Sequence, residues 1–172
     1  MGREVRRVPS HWKHPKDENG FIPLLEGGFL KALKEWEEEK DQWEKGFRLD
    51  YTKDGRQYKP KDPDDTGTYE DWAGKKPEEK EYMPDWGENE KTHIQMYETC
   101  TEGTPISPVM ETPEELAKWL ADNKASAFGD ITATYEEWLS TILRGWSCSM
   151  VYSPETGLIP GVLALHKRKE EN

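Results

Sequence analysis

Residues 111–123, ETPEELAKWLADN, and 132–146, TATYEEWLSTILRGW, constrain the fold more than any other part of the chain. In the first, Thr112 is placed to cap a helix, Pro113 suits the first helical position, and Glu115 completes a capping box. Leu116, Trp119 and Leu120 then form an apolar stripe at helical spacing. The second stretch repeats the device: Thr134 caps, Glu137 follows three residues on, Trp138, Leu139, Ile142 and Leu143 make the buried side, and Gly145 lies past the end. Two amphipathic helices this close in sequence each need an apolar surface to lie on, and the neighbouring segments must supply it.

Those neighbours read as strands. HIQMYETC (93–100) alternates, with Ile94 and Met96 on one face and His93, Gln95 and Tyr97 on the other. TPISPV (104–109) carries Pro105 and Pro108, which cannot donate to a ladder, so it belongs at an edge or on the surface. WSCSMVY, the turn SPETG and LIPGVLAL read as a terminal hairpin. A third helix is expected over residues 27–47, where Phe29, Leu33, Trp36, Trp43 and Phe47 share one face, Glu35, Glu38 and Asp41 lie opposite, and Gly46 is a stop. The expected class is therefore α+β: a small antiparallel sheet of about three strands, counting the C-terminal hairpin, packed with about three helices, plus long irregular acidic loops.

With 172 residues, one domain is expected. Only 33% of the residues are hydrophobic, yet eight Trp and seven Tyr bury far more area each than aliphatic side chains do. The division that follows is an N-terminal arm (1–26), the long acidic amphipathic helix (27–47), irregular charged loops (48–92), a compact α+β core (93–166) and a solvated tail (167–172). Within the charged stretch, DYTKDGRQYKPKDPDDTG (50–67) is a loop or a hairpin tip, and its DPDDTG departs from calcium-loop spacing. TYEDWAG (68–74) is one capped turn, with Thr68 as cap and Asp71 three residues on.

The net charge of -11 argues against a general nucleic-acid binder, which needs a basic surface, and suits a partner with a basic one. The excess is concentrated: residues 34–90 hold 19 Asp or Glu against 11 Lys or Arg, a balance of -8. Glu37, Glu38 and Asp41, with Trp36 and Trp43, are the expected partner-binding residues if the acidic face is functional, although core packing is the leading reading for both tryptophans. Cys100 and Cys148 have no C-x-x-C spacing, so neither a disulfide framework nor a zinc ribbon is expected, and a reducing cytoplasm fits. The start has no apolar leader and no stretch is long enough to span a bilayer, so no membrane partner is expected.

VPSHWKHPKD (8–17) sets His11 and His14 around Trp12, just after Arg3, Arg6 and Arg7. Three readings are open: a metal pair, the lip of a ligand pocket, or a polar strap seating the N-terminus against the core. Pro15 biases His14 away from helical geometry and no third ligand is close in sequence, which disfavours the metal. Arg6, Arg7, Trp12 and His14 are the expected ligand-binding set if the role is a pocket. Neither cysteine carries a catalytic signature, EGG (26–28) has no phosphate-cradle spacing, and 35 carboxylates single out no acid–base pair. No catalytic residue, cofactor or metal is assigned.

The stretches MGREVRRVPSHWKHPKDENGFIPL, YMPDWGENEKTHIQMYETCTEGTPISPVMETPEELAKWLADN and ASAFGDITATYEEWL resemble a set of uncharacterised proteins encoded by tailed bacteriophages and prophages. That resemblance covers a little under half the chain and implies a setting, the cytoplasm of a bacterial host, without assigning an activity. It leaves three expectations: a non-catalytic inhibitor of a host factor, such as an anti-phage defence component, acting through an acidic surface; a small-molecule sponge for a nucleotide-like immune signal; and a virion or replication accessory protein.

Overall fold

The computed structural model describes residues 2–53, 55–99, 103–154 and 157–164. In chain order these form β1 (Arg3–Val8), β2 (Lys16–Asp17), β3 (Gly20–Phe21), α1 (Phe29–Glu44), β4 (Phe47–Thr52), β5 (Gly55–Pro60) and α2 (Tyr69–Ala73). A 3-10 turn at Glu79–Glu81 precedes β6 (His93–Glu98), β7 (Thr104–Pro105), α3 (Pro113–Asp122), β8 (Ser126–Phe128) and β9 (Ile131–Thr132). Then come α4 (Tyr135–Arg144), β10 (Trp146–Ser147), β11 (Met150–Ser153) and β12 (Gly157–Pro160). The class is α+β, as expected, but the strand and helix counts are higher. Among the described residues the main sheet has four strands, five bounded helical segments are present, and the terminal hairpin β11–β12 is a separate ribbon. Length leads one to expect a single domain; the described chain divides into two compact units, Gly27–Asp85 and the residues on either side of it.

In the flanking unit the main sheet runs β10-β1-β6-β7, antiparallel throughout. The strand that the sequence concealed is β1, REVRRV, whose alternation is masked by charge. Its register sets Val5 opposite Met96, Arg6 opposite Gln95 and Glu4 opposite Tyr97. Period two therefore gives the sheet two different faces. Val5, Ile94 and Met96 turn to the helices, where Met96, Leu116, Ala117, Leu120, Ala127, Trp138, Ile142 and Val162 make the core. Glu4, Arg6, Val8, Gln95 and Tyr97 turn the other way and are covered by residues 9–25. Arg6 donates to the Leu24 carbonyl at 2.7 Å from that covering, and the Leu24 N–H reaches the Gly103 carbonyl at 3.4 Å.

Helices α3 and α4 start where their capping boxes put them: Glu115 N–H donates to Thr112 Oγ1 at 3.2 Å and Glu137 N–H to Thr134 Oγ1 at 3.3 Å. Gly145 ends α4 in the left-handed region at φ 93°. Leu143, expected on the buried side, is 62% exposed. It lies about 140° around the helix from Trp138, and Thr141 completes the buried stripe in its place. At the other side of the sheet the Pro105–Pro108 segment runs along the edge, held by Ile106 N–H to the Met96 carbonyl at 2.9 Å.

The unit Gly27–Asp85 is built around α1. The helix stops at Glu44, Gly46 turns the chain at φ 90°, and Phe47, expected on the helical face, instead opens β4. Trp43 stacks on Trp72 at 5.3 Å between centroids, and Tyr69 lies 5.3 Å from Trp36 and 6.1 Å from Trp43. The stretch expected as a loop or hairpin tip is the hairpin β4–β5, and Thr68 and Asp71 form the expected capping box. Much of segment 48–92 is therefore regular. Its hairpin is held by ion pairs such as Arg48–Asp65 at 3.0 Å and Arg56–Glu35 at 3.3 Å, so apolar alternation is a weak guide there. Among the described residues no helix is long and apolar enough to cross a membrane.

Candidate functional site

The sheet face that carries Tyr97 ends in a cleft of about 800 Å³ beside the proline-blocked edge. Ligand pockets of small molecules span roughly 300–1,000 Å³, so the cleft is in that range. Its aromatic walls are Trp12 and Phe21 from the covering segment and Trp119 from α3, with Ile106, Pro108 and Val109 from the edge.

A hydrogen-bond network behind these walls fixes their positions. Trp12 Nε1–H donates to the Tyr97 hydroxyl at 3.1 Å, and the Tyr97 hydroxyl donates to Gln95 Oε1 at 2.9 Å. Gln95 Nε2–H donates to the Ser107 carbonyl at 2.7 Å, while Ser107 Oγ accepts from Met96 N–H at 2.9 Å. His14 Nε2 is 2.7 Å from the Ile22 carbonyl, which only accepts, so that nitrogen carries the proton. Nδ1, which then carries no proton, lies 3.2 Å from the Tyr97 hydroxyl, whose one proton is shared between it and Gln95 Oε1. Trp12 is also wedged edge-on against Trp86 at 4.7 Å. The indole is held from two sides before any ligand arrives.

Burial holds the His14 pKa below its ordinary value, and the nearby Arg6 guanidinium adds to that against the opposing bond to Ile22. Burial likewise pushes the Tyr97 hydroxyl up to about 12. Both groups are uncharged near neutral pH. Arg6 lies over the Tyr97 ring at 4.4 Å and pairs with Glu4. Among the described residues, the ionisable side chains in the lining are Lys13, His14 and Lys16, and no carboxylate lines the cleft. Lys16 Nζ rests over the Phe21 ring at 4.2 Å, positioned by the register of the β2–β3 ribbon.

The structure brings Trp12 and His14 together at this cleft and separates the two arginines from it. Arg6 is buried beneath Tyr97, and Arg7 lies on the surface, donating to Glu88 at 2.8 Å and to the Lys91 carbonyl at 2.9 Å. His11 is exposed while His14 is engaged by Tyr97 and Ile22, so the pair does not converge. Among the described residues no three His, Cys, Asp or Glu side chains are placed to hold a metal ion. Trp36 and Trp43 pack inside the Gly27–Asp85 unit. Glu37 pairs with Lys76 at 2.7 Å, Glu38 with Lys34 at 3.6 Å, and Asp41 with Lys45. Cys148 is exposed, and Cys100 lies outside the described residues. The residues that sequence reasoning missed are Lys13, Lys16, Phe21, Gln95, Ser107 and Trp119. The polar face of HIQMYE was the signal for Gln95; nothing local marked Phe21.

Compared with known protein families, with curated proteins and with solved structures, the chain matches none of them.

Proposed function

We propose that this chain is a non-catalytic binding protein that captures a small ring-bearing molecule in the cleft between Trp12, Phe21 and Trp119. The observation that carries the reading is the fixed aromatic wall: a cleft of about 800 Å³ whose Trp12 is already oriented by Tyr97 and Trp86. A ring held in place beforehand loses little side-chain freedom when a ligand stacks on it, so more of the contact energy becomes affinity. The cleft lining offers hydrophobic surface and hydrogen-bonding groups, and among the described residues its Ser107 hydroxyl donates to the Pro108 carbonyl while His14 is engaged by Ile22 and Tyr97, so the two make no nucleophile–base pair, which supports capture over turnover. Taken with the phage resemblance, the role is a sponge acting in an infected bacterial cytoplasm. Inhibition of a basic host protein through α1 has less support, because Glu37, Glu38 and Asp41 each already face a lysine.

A ligand-observed NMR screen of ring-bearing fragments against the full chain and against Phe21→Ala tests the reading. Fragments are expected to bind the parent and to lose affinity for the variant, whose circular dichroism and melting stay parent-like because Phe21 is on the surface of a short ribbon. Equal binding to both proteins, or none to the parent, overturns it.

A further inference from the structure

We propose that the cleft selects a planar ring carrying an anionic group, phosphate or carboxylate, with the ring against Trp12 and Trp119 and the anion held by Lys13 and Lys16; this rests on the binding role proposed above.

Charge complementarity is the first argument. The chain carries 35 carboxylates and a net charge of -11, yet among the described residues the cleft lining contains two lysines and no Asp or Glu. A site so depleted of negative charge on so acidic a chain attracts an anion at close range while the rest of the surface repels one at long range. His14 adds no positive charge near neutral pH, since burial and Arg6 keep it neutral, so the lysines are the cations in the lining. Arg6 is spent on Glu4, Tyr97 and the Leu24 carbonyl.

The second argument concerns the ring. A positively charged ligand would compete with Lys16, which already lies on the Phe21 face, and would meet Lys13 as a like charge. A flat neutral or anionic ring has no such conflict. Gln95 extends the match. Its Nε2 carries two protons; one goes to the Ser107 carbonyl, and the second finds no partner among the described residues. Gln95 is 5% exposed and part of the cleft wall, so this donor suits a ring nitrogen or carbonyl.

Isothermal titration of the full chain with adenosine 5′-monophosphate, adenosine, indole-3-acetate, tryptamine and inorganic phosphate tests the proposal, alongside the double variant Lys13→Glu/Lys16→Glu. Both lysines are exposed, so the variant is expected to melt like the parent. The two anionic ring compounds are expected to bind at least about tenfold more tightly than their neutral and cationic counterparts, and the double variant to erase that preference. A stronger response to the phosphate than to the carboxylate probe assigns the anion to a phosphate; the reverse assigns a carboxylate. Inorganic phosphate binding as tightly as the nucleotide overturns the ring requirement. Adenosine or tryptamine binding as tightly as the anions, or an unchanged preference in the variant, overturns the charge requirement while leaving the cleft as a binding site. No binding by any ring compound overturns both the selection and the binding role.

Discussion

Gly103 is held where a side chain cannot follow. Its φ is +99°, and a Cβ there would fall on the Leu24 carbonyl and the Arg6 guanidinium. The residue closes the covering segment onto the buried face of the sheet, so Gly103→Ala combines backbone strain with a clash against groups that already bond each other. It is expected to lower unfolding free energy by about 2 kcal/mol or more, read from urea denaturation. His14 gives a pH signature at the same face. Its folded pKa is depressed, so the unfolded chain binds the extra proton first, and stability falls as pH drops below the ordinary value of 6.5. His14→Gln is expected to flatten that part of the profile in thermal melts at a series of pH values. A profile identical to the parent's would place the acid sensitivity elsewhere.

At the scale of elements, α3 and α4 were legible because their ends and faces are written in local chemistry: Thr, Pro, Glu and Gly at fixed offsets from an apolar stripe. Truncating Trp138, fully buried in the core, is expected to cost on the order of 3–5 kcal/mol. Trp119→Ala should cost clearly less, since Trp119 borders the cleft and only partly packs on the core. Thr112→Ala should cost roughly 1 kcal/mol through the lost cap. Denaturant midpoints of the three variants check the order. β1 was illegible for the opposite reason. A buried strand is recognised by apolar alternation, whereas REVRRV buries Arg3 and Arg6 by giving their guanidinium groups carbonyl and ring partners far away in sequence. The cleft shared that fate: Trp12 and His14 stood out as a local motif, but Gln95, Ser107 and Trp119 reach it only through strand pairing and helix packing.

For the whole molecule, the acidic balance and the cleft are separate properties. The carboxylates of α1 are spread over exposed ion pairs, each worth little, so the charge there serves solubility more than a single contact. Reversing Glu37, Glu38 and Asp41 to Lys is accordingly expected to leave ligand affinity at the cleft unchanged. The most direct test of the cleft as the binding site follows the eight tryptophans at once. With 5-fluorotryptophan incorporated, a fluorine NMR titration with adenosine 5′-monophosphate or indole-3-acetate should shift the resonances of Trp12 and Trp119, carry a smaller change to Trp86, and leave Trp36, Trp43 and Trp72 in place. Shifts confined to Trp36, Trp43 and Trp72, or no shift at Trp12 and Trp119 at saturating ligand, would contradict the account.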